Sequence, residues 1–549
     1  MHTKSRIHCV ELVLVAPLLV FASVLAASSD AVRPIPVPPP PMGWSSWNSF
    51  SNTVNAEIVM AQAKAMASNG MQKAGYQYIN IDEGWWLGER RADGTFVIDE
   101  KAWPALAAGE KPGDMANIVR FIHSLGLKAG IYTDAGKNGC SLYPDVGWMY
   151  FNVGSEGRYE QDFLQFAQWG FDYVKVDWCG GDRENLDPVV QYAEIARAIA
   201  RAEKITGHRL YFSLCEWGRQ SPWTWAPHIG GAPADIWRTS GDIVDPIVAS
   251  GPHASRKASF DNMLGNFDKG VHPEAQHTGF YNDPDMMVIG MPGLSDVQNR
   301  VHMSLWAISG APLLVGADLT RLTPETLAML TNPAVLAVDQ DALGLQAVKA
   351  AEPAKGLELW VKPLAKAGSR AVLLLNRTAA AHQISAGWKQ LGLAEEAPAT
   401  ITNLWTGEQQ TRTRSYAVEV PPGDAVLLIV QGAEMPPTPY RPDPATQHSA
   451  NAPLTCRDCD LIFSKVASRT PWARVRISYR NPGKSPRYAV LRVNGQSPTA
   501  IAFPPTGPGP GLGPGSISIM AQLDPSDANV LRFSASEETP PQIDAISVD

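Results

Sequence analysis

"FDYVKVDWCGG", residues 171–181, decides the fold. Val174 and Val176 alternate with Lys175 and Asp177, so with a period of two the valines share one face and the two charges share the other. If the valines face covering helices, Lys175 and Asp177 point into the interior of a closed sheet. The same texture recurs in "MGWSSWN" (42–48), "YQYINIDEG" (76–84), "KAGIYTDAG" (128–136) and "LYFSLCEWG" (210–218). It continues in "DIWRTSGDI" (235–243), "GFYNDPDMMVIG" (279–290) and "APLLVGADL" (311–319). Helical patterns lie between, such as 56–74, 114–126, 159–170 and 190–207. Eight strand–helix alternations across residues 40–340 fit an α/β (β/α)8 TIM barrel better than an open doubly wound sheet. No GxGxxG follows the first strand, which removes the main support for a dinucleotide fold.

Beyond the barrel, assigned to 36–342, the texture changes. Short alternating runs with turns between them, such as "LELWVKPL" (357–364) and "RAVLLLNRT" (370–378), predict an antiparallel β-domain over 343–432. A Pro-rich stretch, 433–450, reads as an extended linker. Residues 451–549 return to short strands, interrupted by "PPTGPGPGLGPG" (504–515), a loop too rich in Gly and Pro for regular structure. They predict a C-terminal β-sandwich.

The net charge of −8 and the lack of a dense basic run argue against nucleic acid as a partner. Lys4 and Arg6 precede an apolar stretch over 12–25 and a small-residue site near Ala26, the pattern of a signal peptide over 1–27. The expected destination is secreted or periplasmic. A retained membrane anchor is the alternative, although the stretch is short for one. Export permits disulfides. Cys456 and Cys459 read as a small structural disulfide, since no second Cys or His pair follows with zinc spacing.

Polar residues crowd the strand ends, where a (β/α)8 barrel carries its active site. Trp44 and Trp47 end the first strand, then Asp82 and Glu83, Tyr132 and Asp134, Lys175 and Asp177. Glu216 and Trp217, Arg238 and Asp242, and Asp283 and Asp285 end the following strands. Acids at six consecutive strand ends with aromatics among them suit a sugar: carboxylates accept from hydroxyls, and an indole covers the C–H face of a pyranose. Glycoside cleavage needs two carboxyl groups and no cofactor or metal. Asp177 is the candidate nucleophile, kept ionised by Lys175, and Asp242 the candidate acid/base. A barrel-interior Lys175–Asp177 ion pair and a helix-capping Asp242 are the structural alternatives.

"MGWSSWNSF", "GIYTDAGKNGC", "YVKVDWCGG", "SLCEWG", "WRTSGDI" and "NDPDMMVIG" resemble, in matching order, the signature blocks of α-galactosidases of glycoside hydrolase family 27. The resemblance covers roughly 38–431. It implies a retaining mechanism with Asp177 as nucleophile and Asp242 as acid/base. It further implies sugar contacts at Trp47, Asp82, Tyr132, Lys175, Glu216, Arg238 and Asp285, and Glu83 and Trp217, beside Asp82 and Glu216, are read as substrate contacts with them. It also implies a Cys140–Cys179 disulfide, with Cys215 as a free buried thiol. The tail resembles carbohydrate-binding modules of the family 6 or 35 sandwich type, which implies a bound polysaccharide.

One departure bears on the substrate. The family's acidic pair on strand 2 is Asp-Asp, gripping the 4- and 6-hydroxyls of galactose, whereas here it is Asp82-Glu83. Glu reaches one methylene farther, toward the place of the galactose hydroxymethyl group. β-L-Arabinopyranose is α-D-galactopyranose without that group, and family members with such a Glu are linked to β-L-arabinopyranosidase activity. Two assignments from other classes compete. A non-catalytic sugar-binding barrel would have no use for Asp177. A lyase with a Lys175 Schiff base would need a desolvated amine.

Overall fold

The computed structural model describes residues 32–140, 152–228, 233–244, 257–444, 460–507, 514–536 and 539–549. The signal segment and the Cys456–Cys459 pair lie outside them.

Eight parallel strands form one sheet: β1 (Met42–Ser45), β2 (Tyr78–Asn80), β3 (Lys128–Asp134), β4 (Tyr173–Asp177), β5 (Tyr211–Cys215), β6 (Ile236–Arg238), β7 (Tyr281–Asp283) and β8 (Leu313–Val315). From β1 to β7 each strand pairs with the next in chain order, and β8 pairs with β1. Just past β7, Met287 bridges to Val315, and its N–H donates to Leu314 O at 2.7 Å. The sheet therefore closes into the expected barrel. Helices α1 (Ala56–Ser68), α2 (Ala116–Ser124), α3 (Tyr159–Trp169), α4 (Pro188–Thr206), α5 (Phe260–Lys269) and α6 (Asp296–Ser309) cover it.

Four of these helices carry a side-chain cap. Asn55, Asp187 and Ser259 accept from backbone N–H groups in the first turns of α1, α4 and α5, and Ser295 forms a capping box with Gln298 on α6. The alternation breaks once. Among the described residues, β5 is followed only by 3-10 turns, Pro222–Thr224 and Ala226–His228. A helix begun at Pro222 would be broken at Pro227, which has no N–H to continue it.

The β-domain holds the six-stranded antiparallel sheet of Leu357–Pro363, Ser369–Asn376, Ala425–Gln431 and their neighbours. Its core contains Leu359, Leu374 and Trp388. The last domain is a sandwich of a five-stranded and a four-stranded sheet over a core that includes Val475, Phe503 and Phe533.

Two of the sandwich strands come from unexpected places. Thr438–Tyr440, inside the predicted linker, pairs with Gln542–Val548, and Arg33–Pro34 pairs in parallel with Gly515 and Ser516. Glu434 joins the domains further, accepting from Arg370 of the β-domain at 3.0 Å and from Arg474 of the sandwich at 2.9 Å. The sequence pattern gives no sign of this, because pairing partners hundreds of residues away leave no local period. No helix among the described residues is long and apolar enough to cross a membrane.

Candidate active site

Strand register stacks the inward side chains in tiers. Gly130, Tyr173 and Tyr211 lie side by side, then Tyr132, Lys175 and Ser213, then Asp134, Asp177 and Cys215. In the lowest tier Tyr173 and Tyr211 stack at 5.7 Å and pack with Tyr78, Ile236 and Tyr281, closing the barrel floor. Gly130 has to be glycine: a Cβ there would stand 2.0 Å from Asn80 Oδ1. Above the tyrosines a cavity of about 20 Å³, walled by Ser45, Asp82, Lys175, Arg238, Asp283 and Asp285, has room for one water. The middle and upper tiers carry the chemistry.

Lys175 centres one half of the site. Its Nζ lies 3.1 Å from Asp82 Oδ2 and 3.5 Å from Asp177 Oδ1. Burial pulls the ammonium's pKa down, but the two carboxylates outweigh it and hold the value well above the ordinary one. Asp82 Oδ1 accepts from the Glu83 N–H at 2.9 Å, and the Asp82 N–H donates to Ser46 Oγ at 2.9 Å. Both oxygens of Asp82 are thereby fixed.

Asp177 is 7 % exposed. Its Oδ2 lies 3.3 Å from Tyr132 Oη and 3.9 Å from the Cys140 sulfur, a contact without a proton because Cys140 is bonded to Cys179. That disulfide, with a Cα separation of 5.2 Å, ties the loops after β3 and β4 beside the carboxylate, as the resemblance implies. Cys215 is free and buried, and its thiol donates to Asp177.

Lys175 does not hold Asp177 in the ordinary carboxylate range. Burial outweighs the ammonium and pushes the pKa up to about 6. A carboxylate that must be ionised to react is then about nine-tenths active at pH 7 and loses activity tenfold per pH unit well below 6. The acid limb of kcat/KM is therefore expected near pH 6. A limb near pH 4, the ordinary Asp range, would show that Lys175 dominates.

Arg238, 2 % exposed, centres the other half. Its Nη1 lies 3.1 Å from Asp285 Oδ1 and 3.7 Å from Cys215 Sγ, and its Nη2 lies 3.3 Å from Asp242 Oδ1. The Asp242 side chain is 42 % exposed, open to the barrel mouth. Asp285 sits at φ +96°, in the left-handed region that a non-glycine residue leaves unless held. It is held: Oδ2 accepts from the Ile243 N–H at 2.8 Å, Oδ1 from the Met286 N–H at 2.7 Å, and its own N–H donates to Asp283 Oδ1. Burial pushes the Asp285 pKa up to about 7 against the pull of Arg238.

The remaining predicted residues lie at the same barrel mouth. Glu216 Oε2 accepts from the Gln220 N–H at 2.8 Å, and burial pushes its pKa up to about 7. Trp217, at φ +59°, has the Arg219 guanidinium 4.6 Å over its ring. Trp47 opens a one-turn helix, Trp47–Phe50, just beyond β1 and is half-buried. Glu83 is 1 % exposed, and its Oε1 packs so close to Gly139 that a Cβ there would come within 2.8 Å.

Asp134 is a member the sequence singled out as a strand-end acid without placing it among the sugar contacts. It lies in the same tier as Asp177, fully buried. The period of "IYTDAG" put it on the inward face with Tyr132, but its distance from Asp177 depends on a second strand.

A (β/α)8 barrel whose mouth sets a buried carboxylate beside an ammonium, and a half-exposed carboxylic acid on a neighbouring guanidinium, has the parts of a glycoside hydrolase. Residues 39–341 match the family profile described as alpha galactosidase A. Residues 354–430 match the alpha galactosidase C-terminal beta sandwich domain, and 462–548 the alpha-galactosidase CBM13 domain. The tail thus matches a module other than the family 6 or 35 types it resembles in sequence.

Alpha-galactosidase A of Cellvibrio japonicus is 37 % identical over 401 residues, 71 % of this chain and 91 % of that one. The structure of α-galactosidase I from Mortierella vinacea superposes with a TM-score of 0.62 at 27 % identity, over 72 % of this chain and 98 % of that one. A family 27 β-L-arabinopyranosidase from Geobacillus stearothermophilus gives 0.61 at 22 % identity, over 72 % and 97 %, a likeness of fold alone. The chain belongs to the alpha galactosidase A family of glycoside hydrolases.

Proposed function

We propose that the protein is a retaining exo-α-galactosidase that removes terminal α-D-galactosyl residues from galactosides and plant polysaccharides. The observation that carries this is the convergence of Asp177, Lys175 and Asp82 with the Arg238–Asp242 pair at the barrel mouth.

In the first displacement an Asp177 oxygen attacks C1 while Asp242 gives its proton to the departing glycosidic oxygen. The C1–O bond to the aglycone breaks as the C1–O bond to Asp177 forms. In the second, Asp242 takes a proton from water, the water oxygen bonds to C1, and Asp177 leaves as carboxylate. Arg238 suits Asp242 to both duties, since its cation stabilises the anion left after proton donation. Lys175 and Asp82 grip sugar hydroxyls, and Trp47 and Trp217 offer aromatic faces. The C-terminal domain holds the polysaccharide. Export rests on the apolar 12–25 segment and on the Cys140–Cys179 disulfide, which an oxidising compartment maintains.

A second assignment, β-L-arabinopyranosidase in the same pocket, is favoured by Glu83. This longer acid is buried against Gly139 beside Tyr132 and Asp134 and extends from the strand end that grips the sugar. The discriminating experiment compares kcat/KM on p-nitrophenyl α-D-galactopyranoside and p-nitrophenyl β-L-arabinopyranoside for wild type and Glu83→Asp. The wild type is expected to favour the galactoside, and Glu83→Asp to raise the galactoside-to-arabinopyranoside ratio by about 10–100-fold, the worth of one methylene in a pocket. A wild type that prefers the arabinopyranoside establishes the second assignment. A ratio that Glu83→Asp leaves unchanged removes Glu83 from the specificity altogether.

A further inference from the structure

We propose that Asp134 is a positioning residue that keeps its carboxyl proton in the working enzyme and donates it to Tyr132 Oη, turning the Tyr132 hydroxyl toward Asp177. The proposal rests on Asp177 being the nucleophile. Tyr132 Oη lies 2.6 Å from Asp134 Oδ1 and 3.3 Å from Asp177 Oδ2, yet it has one proton to give.

Were Asp134 ionised, that proton would go to the nearer oxygen and Asp177 would lose it. Three carboxylates would also share one buried space. Glu83 faces Asp134 from the loop after β2 and Asp177 faces it from β4. Among the described residues Lys175 is the cation that acts most on Asp134, and it is already engaged by Asp82 and Asp177. The disulfide beside them brings no charge.

With Asp134 protonated every proton has one acceptor: Asp134 donates to Tyr132, and Tyr132 donates to Asp177. Asp134 Oδ2 is buried with no hydrogen-bond partner among the described residues, which costs a neutral carbonyl oxygen far less than a carboxylate oxygen. Burial, then Glu83 and Asp177, push the Asp134 pKa in the same direction, upward. The long Tyr132–Asp177 contact is of the kind that tightens when substrate binds.

Asp134→Asn tests this, because its amide NH2 can donate to Tyr132 Oη as the protonated acid does and carries no charge. Asp134→Ala is expected to lose about 10–100-fold in kcat with little change in KM, the worth of one hydrogen bond to a charged group. Asp134→Asn is expected to recover most of that loss and to leave the acid limb of kcat/KM where the wild type has it. A limb that moves down by a pH unit or more in Asp134→Asn would overturn the proposal, since it would mean that a negative charge had been removed from beside Asp177. An Asn variant as slow as the Ala variant would overturn it too.

Tyr132→Phe provides a second check, made with the Asp134 carboxyl still in place. The acid limb is expected to rise, because Asp177 loses a donor to its charged form, and a limb that stays in place shows that Tyr132 does not serve Asp177. Failure of the nucleophile assignment itself would be seen separately, as turnover surviving in Asp177→Ala.

Discussion

Asp177→Ala is expected to abolish turnover of α-galactosides by at least about 10⁴-fold while the protein remains folded, because a residue that forms the covalent intermediate has no substitute in the site. Folding should survive, since the buried carboxylate is more costly to desolvate than a small apolar side chain. Lys175 keeps Asp82 as a partner at 3.1 Å. Azide supplies the discriminating measurement. In a retaining enzyme that has lost its nucleophile, a small anion can enter the vacated space and attack C1 from the same side, giving a β-galactosyl azide of inverted configuration. Recovery of turnover with that product identifies the missing group as the nucleophile. An Asp177→Ala enzyme that still hydrolyses without azide shows that another carboxylate attacks.

The second large effect is expected at Asp242. Asp242→Asn keeps the contact with Arg238 as a neutral amide but cannot transfer a proton, so substrates with a sugar leaving group should lose about 10²–10⁴-fold in kcat/KM. Aryl substrates behave differently. A nitrophenolate leaves without protonation, so formation of the glycosyl-enzyme should persist and its hydrolysis become limiting, seen as a burst of nitrophenol followed by a slow steady rate. Equal losses on raffinose and on the nitrophenyl galactoside, without a burst, would show that Asp242 only anchors Arg238.

The two halves of the site differed in how legible they were. On β4 the alternation of Val174, Lys175, Val176 and Asp177 is a local property, so the inward direction of both charges followed from the period alone. The acids at successive strand ends were legible for the same reason, because a (β/α)8 barrel sends every strand's C-terminal end to one face. Asp134 could be read as inward but not as the neighbour of Asp177, since that depends on β3 and β4 meeting in the register Tyr132 to Lys175 and Asp134 to Asp177. The ionisation of Asp177 was read in the wrong proportion. A Lys two residues away is visible in the sequence, whereas the depth of burial that outweighs it is built by side chains from the other strands.

The accessory regions follow the same division. Their alternating runs announced short strands, but nothing in "PPTPYRP" indicated that Thr438–Tyr440 would join a sheet, nor that Arg33–Pro34 would pair with Gly515 and Ser516. The sequence by itself determined the strand and helix periods, the acid-bearing face of each barrel strand and the family blocks. The tertiary structure alone decided which acids share a tier, which of them meets Lys175 or Arg238, and how far burial moves the Asp177 pKa. Periods arise from residues a few positions apart, whereas desolvation and charge coupling arise from residues brought together by strand register.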